Sequence, residues 1–386
     1  MTAHNPRPAI HRFLKSTIGG LVCRFLGFSS ACYAPTAGPM LIVANHNADL
    51  DPVFLSMAFR EHMYFVASEH VFRWGLWSKL IVALFDPISR SKGMTDARAA
   101  LQILRRLKSG YNVCLFAEGN RSYSGVTGPV FAATGKLARA SRASLVTYRI
   151  SGGYLATPRW ALTRRRGPVR GELVRVYSPE QLRAMTDEQV NAAIAADLHE
   201  DAFERQKQDM QPYTGKRLAE GMEYALYLCP RCGGVGTLHG DGDTLVCSGC
   251  GLRARYTEYG FLEGADAPFS TVRDWDVWQD EELSRRMVEA AETPERTVFS
   301  DPGQTLFALD QSHGSRRVDA GTLSVSMQAL RVGQTAFLLE DIADMAVCGR
   351  GKLVLCVGAE QYEISSKPPC CGRKYTTFLQ KWRELR

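Results

Sequence analysis

Two groups of residues in this chain combine side chains and spacings that could do chemistry. The first is Asn45-His46, followed by Asp49 and Asp51, at the end of the apolar run Met40-Leu41-Ile42-Val43-Ala44. Successive side chains of a strand point to opposite faces, so His46 and Asp51 can meet only if the chain turns between them. Pro52 suits the first position of a helix, which puts Asp51 where an N-cap would stand. An imidazole whose tautomer is fixed by a carboxylate is the arrangement of a general base. The same residues also read as a helix cap beside an ordinary surface histidine. The second group is Cys229-Pro-Arg-Cys232 and Cys247-Ser-Gly-Cys250, two CxxC pairs with 14 residues between them. Thiolates at this spacing bring four sulfurs to a tetrahedron, which suits zinc. All four positions are cysteine, so the expected zinc is structural and holds together a small fold without a core of its own. His239, in the hairpin between the pairs, is expected to be exposed rather than a ligand.

Two further stretches carry groups that could hold a substrate. FDPISRSKG, residues 85–93, places Arg90 and Lys92 in a Ser- and Gly-containing loop. LFAEGNRS, residues 115–122, follows a buried strand and sets Glu118, Gly119 and Arg121 on a turn. Guanidinium groups from two separate loops could clamp a phosphate through their forked donors. Taken singly, each arginine reads as a solvated surface residue. Glycine at 119 would let a ligand approach the backbone.

The elements that must position these groups follow from periodicity. Residues 40–180 alternate strand-like runs (40–44, 63–67, 112–116, 144–150, 172–177) with helix-like ones (52–60, 69–84, 95–109, 130–142), which indicates an α/β layer structure with a mixed sheet flanked by helices. The apolar segment 70–85 reads as a core helix or as part of a channel for an acyl chain. The helix at 95–109 has Thr95 or Asp96 at its start and Gly110 after its end. Residues 8–34 show helical spacing of Ile10, Phe13, Leu14, Leu21, Val22, Phe25 and Leu26, with Arg12, Lys15 and Arg24 between them and a break near Gly19-Gly20. That pattern suits an amphipathic helix on a membrane interface, or equally a terminal helix packed on its own domain. Residues 180–209 read as a polar helix pair with a capping box from Thr186 to Gln189. After the cysteine module comes one acidic helix, DWDVWQDEELSRRMVEAAE. Then follow short strand-like runs (TLFALD, TLSVSM, ALRVG, TAFLLE, KLVLCVG, QYEIS) and a final helix from Lys374 to Leu385 with Phe378, Leu379 and Trp382 on one side. Some seven strands and a C-terminal helix resemble a pleckstrin-homology or GRAM-like β-rich domain.

Composition bounds the partners. Apolar residues at 45% and charged residues at 23% of a 386-residue chain are those of a globular protein with two or three domains. No run of about 18 apolar residues reads as a spanning helix, and the N-terminus does not look like a cleaved signal peptide. Eleven cysteines, an odd number without a secretion signal, argue for a reducing compartment. Residues 1–180 hold 24 Lys+Arg against 9 Asp+Glu, whereas residues 181–386 hold 23 against 31. The anionic partner therefore belongs to the first half. The block SGGYLATPRWALTRRRGPVRG, 151–171, could hold an anionic head group or sit on anionic lipid; it also reads as a solvated basic hairpin.

In combination, Asn45-His46-x4-Asp51, then Arg90, then Phe116-Ala117-Glu118-Gly119-Asn120-Arg121-Ser122 resemble the glycerol-3-phosphate and 1-acylglycerol-3-phosphate (lysophosphatidate) acyltransferase family, with its NHx4D and FPEGTRS motifs. The resemblance covers roughly residues 8–180. It implies that His46 deprotonates the acceptor hydroxyl, that Asp51 orients His46, and that the hydroxyl attacks the thioester of acyl-CoA or acyl carrier protein. Arg90, Glu118, Gly119 and Arg121 map to acceptor-binding positions, with Glu118 expected to orient an arginine or accept from a hydroxyl. Asp49 lies among the variable four residues and reads as structural. Ala117, Asn120 and the proline-free Leu145–Ile150 strand depart from the family pattern, which bears on the acceptor's identity.

The expected organisation is an N-terminal amphipathic membrane-interface helix (1–36), an acyltransferase domain (37–210), a connector and zinc ribbon (211–260), a helical linker (261–295) and a pleckstrin-homology-like β domain (296–386). The expected function is acyl transfer to the free hydroxyl of 1-acylglycerol 3-phosphate or a related lysophospholipid in phospholipid biosynthesis, by a peripheral enzyme on the cytoplasmic side of an anionic membrane. A zinc-ribbon nucleic-acid-binding protein is the rival reading. The ribbon lies in the acidic half with only Arg231, Arg253 and Arg255 near it, which makes nucleic acid the less fitting partner.

Overall fold

A computed structural model of the chain describes residues 7–68, 82, 83, 85–90, 97–310, 314–367 and 370–386. Most of the apolar segment at 70–85, the expected cap at Thr95 or Asp96, and Lys92 lie outside them.

The first layer is a seven-stranded sheet. Its strands are β1 (Phe28–Ser29), β2 (Met40–Ala44), β3 (Met63–Ser68), β4 (Ile88–Arg90), β5 (Asn112–Phe116), β6 (Ser144–Ser151) and β7 (Val169–Tyr177). They stand in the order β1-β7-β6-β2-β5-β3-β4, parallel except at the β6–β7 pair. Every residue of β2 is buried because both faces of the sheet are covered, which is why it reads as an unbroken apolar run. Ile42 and Ala44 join one core, and Leu41 and Val43 the other. On the first face lie α1 (Arg7–Leu26) and α2 (Asp51–Ala58), with Leu26, Phe54 and Leu55 in the core. On the second lie α3 (Ala97–Lys108) and α4 (Ala133–Ser141), which bury Ile103, Leu107 and Ala138.

The expected break in the first helix is absent: α1 runs through Gly19-Gly20. Gly19 is buried at the crossing with α2, where a Cβ would stand 3.1 Å from Met57 Sδ, so the glycine serves close packing and not a turn. The expected helix pair at 180–209 is three helices, α5 (Pro179–Ala184), α6 (Asp187–Leu198) and α7 (Ala202–Gln208). Capping boxes at Ser178–Gln181 and Thr186–Gln189 start the first two, and Asp201 caps the third.

The cysteine module contains four short antiparallel strands, β8 (Leu238–Asp241), β9 (Thr244–Cys247), β10 (Arg253–Tyr256) and β11 (Leu262–Glu263). Its apolar residues do not form a separate core. Leu238, Leu245, Ala254, Tyr256 and Leu262 belong to the same buried cluster as Phe54, Tyr148 and Trp160 of the α/β layer. Arg165 seals the junction: it is buried, lies against the Trp160 and Tyr256 rings, and donates to the Tyr256 hydroxyl and the Leu218 carbonyl at 3.2 and 2.6 Å. The linker helix α8 (Val272–Ala290) buries Trp275 in this cluster and donates its indole N–H to Leu228 O at 3.0 Å.

The C-terminal part is an antiparallel sheet of β12 (Phe299–Leu309), β13 (Ser315–Val325), β14 (Ala329–Val332), β15 (Thr335–Leu338), β16 (Ile342–Cys348), β17 (Lys352–Val357) and β18 (Glu360–Ser365). The order is β15-β14-β13-β12-β18-β17-β16, so the meander returns its last three strands to the free edge of its first. A register shift between Asp301 and Gln304 falls at Pro302-Gly303, where proline lacks the ladder donor. Helix α9 (Gly372–Glu384) covers the core with Phe378 and Leu379. Arg373 of α9 pairs with Asp276 of α8 at 2.6 Å, tying this domain to the linker helix.

Candidate functional site

The site lies where the parallel strands β2, β4 and β5 end, the edge at which α/β sheets hold their ligands. His46 follows β2 by two residues and Glu118 follows β5 by two. Arg90 is the last residue of β4.

His46 and Asp51 meet. Nδ1 of His46 lies 2.9 Å from Oδ2 of Asp51, whose side chain is fully buried. The same carboxylate oxygen accepts the backbone N–H groups of Asn47 and Ala48 at 2.7 and 2.9 Å. Asp51 is thus held by the turn it closes, and Leu50 occupies the cap position, where Asp51 was expected, without a side-chain cap bond. With Nδ1–H directed at Asp51, Nε2 keeps its lone pair. The imidazole is partly exposed and stacks on Phe116, centroid to centroid 4.1 Å at 16°. Asn45 anchors the preceding residue: it donates to Ile150 O at 2.8 Å and accepts from Ile150 N at 2.7 Å. Asn47 adds a bond to the same carbonyl at 2.9 Å.

Glu118 is buried and braces the histidine turn. Oε1 accepts from His46 N at 2.7 Å and Oε2 from Gly128 N at 2.6 Å. The sequence-based expectation gave it an arginine or a hydroxyl; its carboxylate holds two backbone donors from separate loops. Burial pushes its pKa up to about 7, against the pull of those two N–H groups. Ser122 N donates to His46 O at 3.1 Å, closing a second link between the β2 and β5 loops.

Gly119 has φ +67, and a Cβ there would stand 2.2 Å from Cε2 of Phe131. The same Cβ position is 3.4 Å from Nη1 of Arg90, whose guanidinium lies over the Phe131 ring at 4.5 Å. Arg90 and Gly119 therefore share one corner of the site. Arg121 points elsewhere. Its guanidinium pairs with Asp49 at 3.1 Å, so the aspartate read as structural is an ionic partner on the histidine turn.

Sequence reasoning gave no role to Asn45, Asn47 or Phe116. The run Asn45-His46-Asn47 after an all-buried strand was a signal in hindsight, because amides there can tie the turn to the neighbouring strand. Their partner Ile150 is more than 100 positions away, and nothing local names it.

The four cysteines of the ribbon also meet. Their sulfurs all lie within 4.8 Å of one another, with Cys229–Cys250 and Cys232–Cys247 each at 3.7 Å. A tetrahedron with zinc–sulfur bonds of about 2.3 Å has sulfur–sulfur edges of about 3.8 Å, so the set fits a four-thiolate metal site. Gly233 and Gly251, the residues after each second cysteine, have φ of +69 and +72. Their N–H groups return to Cys229 O and Cys247 O at 2.8 and 2.9 Å, closing both knuckles.

Residues 28–151 match the acyltransferase family model. The matched stretch spans β1 to β6 and includes His46, Asp51, Arg90, Glu118, Gly119 and Arg121. Among solved structures it is similar to the 1-acyl-sn-glycerophosphate acyltransferase PlsC from Thermotoga maritima, at 18% identity over 49% of this chain and 77% of that chain, with a TM-score of 0.42. No curated protein sequence matches it.

Proposed function

We propose that this protein transfers a fatty acyl group from acyl-CoA or acyl carrier protein to the free hydroxyl of 1-acylglycerol 3-phosphate or a related lysophospholipid. The observation that carries the reading is the His46–Asp51 pair: a partly exposed imidazole whose Nδ1 side is committed to a fully buried carboxylate at 2.9 Å. Nε2 takes the proton of the acceptor hydroxyl as its oxygen attacks the thioester carbonyl. The imidazolium then returns that proton to the departing thiolate. The acceptor alcohol is itself the nucleophile, so no covalent enzyme intermediate is required. Asp51 fixes the tautomer before the transfer and offsets the imidazolium charge during it.

Arg90 and Arg121 bind the acceptor's phosphate, at the Gly119 corner and beside the histidine turn. Arg121 reaches it by exchanging Asp49, an exposed partner that costs little to leave. Glu118 and Gly119 shape the floor between them. Zinc in the four-cysteine site is structural.

The C-terminal domain is of the pleckstrin-homology or GRAM-like type, a reading supported by its seven-stranded meander and capping helix. The enzyme sits peripherally on the cytoplasmic face of an anionic membrane. No helix among the described residues is long and apolar enough to cross one. Support comes from α1, which leaves Phe13, Ile18, Leu21 and Phe25 exposed while its other side packs on α2.

The test is acyl transfer from labelled acyl-CoA and from acyl carrier protein to a panel of lysolipids, with His46→Ala beside the parent. Transfer that this substitution leaves undiminished would refute the mechanism. Salt-sensitive nucleic-acid binding without any transfer would carry the rival reading.

A further inference from the structure

A cleft of about 1120 Å³ separates the α/β layer from the C-terminal β-domain. One wall is the arginine-rich segment between β6 and β7; the other is formed by the β16–β17 turn and the neighbouring ends of β12 and β18. The lining carries six cationic side chains and a single carboxylate, Asp49.

Two of these cations are already neutralised, Arg121 by Asp49 at 3.1 Å and Lys352 by Glu363 at 2.8 Å. Among the described residues the other four, Arg159, Arg164, Arg350 and Lys367, have no carboxylate at ion-pair distance. Both walls contribute, so closing the two domains together gathers like charge. Such an arrangement costs free energy unless an anion lies between the walls.

Arg159 makes the point most directly. It is buried and donates to Arg121 O of its own layer at 3.0 Å and, across the domain junction, to Val347 O at 3.2 Å. Its Nε is buried without a partner among the described residues. Burial lowers its pKa, with Arg121 and Arg373 adding to the effect and Tyr123 and Asp49 opposing it. Arg350 reaches across from the opposite wall and donates through Nε and Nη2 to Ala161 O at 3.2 and 2.9 Å, which fixes the spacing of the walls.

We infer that this cleft binds a phosphate-bearing head group, held between Arg159 and Arg164 on one wall and Arg350 and Lys367 of the β-domain on the other. Guanidinium forks on two walls suit the several oxygens of a phosphate monoester or diester. The volume admits a group larger than a bare phosphate. The surroundings point to a lipid as the source. Arg164, on the rim, donates to Phe25 O at 3.2 Å and lies over the Phe25 ring at 5.4 Å, and Leu162 beside it is exposed. The cleft therefore opens next to the exposed apolar stripe of α1, along which acyl chains would run. It shares the Asp49–Arg121 pair with the candidate acceptor loops, but His46, Arg90 and Gly119 do not line it, so it is a second site that borders the acceptor position.

The test uses the full-length protein and does not depend on acyl transfer. Sedimentation with phosphatidylcholine vesicles is compared with sedimentation in the presence of added phosphatidate, and binding of soluble glycerol 3-phosphate and inorganic phosphate is measured separately. The variants are Arg350→Glu with Lys367→Glu, Lys367→Glu alone in case the pair disturbs folding, and Arg253→Glu on the exposed face of the ribbon as a control. Phosphatidate-dependent binding about tenfold weaker in the cleft variants, with the control unchanged, is the expected result. The same loss for the soluble phosphates, without dependence on phosphatidate, would keep the site and make its ligand a soluble phosphate compound. The inference is overturned if no phosphate-bearing probe distinguishes the cleft variants from the parent, including by failing to bind either.

Discussion

Asp51 Oδ2 accepts three hydrogen bonds, from His46 Nδ1 and from the backbone N–H groups of Asn47 and Ala48, so the carboxylate that orients the imidazole also builds the turn that carries it. Orientation and local fold are one interaction at this position. The two substitutions His46→Ala and Asp51→Asn should therefore separate. His46→Ala should lower acyl transfer by about 10²- to 10⁴-fold with little change in melting temperature, because the ring is partly exposed. Asp51→Asn keeps an acceptor oxygen for the turn but removes the charge that offsets an imidazolium. It should cost a comparable factor in kcat and also lower the melting temperature. Steady-state kinetics beside thermal unfolding reads both. A Asp51→Asn protein of full activity would remove the aspartate from the mechanism.

Glu118 offers a different kind of control. It touches the backbone of His46 and not its ring, so its effect on chemistry is positional. Glutamine has only one acceptor oxygen for two N–H groups, and one buried donor must go unpaired. Glu118→Gln should destabilise the protein by about 1–3 kcal/mol. The pH dependence has a definite sign. The folded-state pKa is raised by burial to about 7 from an ordinary value of 4.5. The folded state therefore holds a proton that the unfolded chain releases between those values. The contribution from this group is fully present below pH 4.5 and is lost as the pH rises through 7. Denaturant titrations from acid to neutral pH should show the parent losing stability relative to Glu118→Gln over that window. A constant difference would place the glutamate pKa at its ordinary value.

At Gly119, positive φ and the Phe131 ring both exclude a side chain. Gly119→Ala must push Phe131 aside, and Arg90 stacks on that ring. We expect KM for the proposed lysophospholipid acceptor to rise about tenfold with a smaller change in kcat, since the disturbance falls on the proposed acceptor corner and not on His46. The comparison of KM with kcat in the alanine variant reads this directly.

How much of this was legible in the sequence depends on the range of the interaction. The strands of the α/β layer were readable because burial on both faces leaves unbroken apolar runs, as in Met40–Ala44. The zinc-type cysteine spacing and the Thr186 capping box were readable because each is a local pattern. Gly19 misled because a glycine at a helix crossing and a glycine at a helix break look alike without the partner, Met57. β16 (Ile342–Cys348) was not among the expected strands because Ala343, Asp344 and Ala346 interrupt its apolar signal. Glu118 braces His46 and Gly128, and Arg121 pairs with Asp49, across loops brought together only by the parallel register of β2 and β5. No local pattern encodes that register.

A histidine pair, half-buried His11 on α1 and buried His62 just before β3, predicts acid sensitivity. His11 Nε2 donates to Ser56 O, 3.1 Å away, and its ring meets His62 edge-on at 5.7 Å beside a cavity of about 70 Å³. Burial lowers the pKa of both, that of His62 to about 4, with His11, Arg7 and Arg106 adding to the effect and Asp86 opposing it. The unfolded chain therefore takes up protons before the folded one does. The contribution of this pair should be intact above pH 6.5 and be lost progressively as the pH drops toward 4. His62→Phe should flatten this loss. Melting temperatures from pH 7 to pH 4 that run parallel in the two proteins would exclude the pair as its source.

The ribbon makes the sharpest prediction about the whole fold. A zinc module that folds alone should unfold alone, and the sequence pattern reads that way. In the structure its buried residues are continuous with those beneath β6, through Tyr256, Trp160 and Tyr148. Arg165 is buried between the Trp160 and Tyr256 rings and bonded to both sides of the junction. Losing the metal would free the knuckles at Cys229 and Cys247, expose Leu245 and Ala254, and leave the Arg165 guanidinium without its Tyr256 partner. The cost then falls on the α/β layer as well. Metal analysis should find about one zinc per chain. Cys232→Ser should lose that metal and lower a single, cooperative unfolding transition that acyl transfer follows in parallel. If the substituted protein instead shows a separate early transition while acyl transfer and the main transition stay at parental values, the ribbon is an independent module and the shared core does not couple the two.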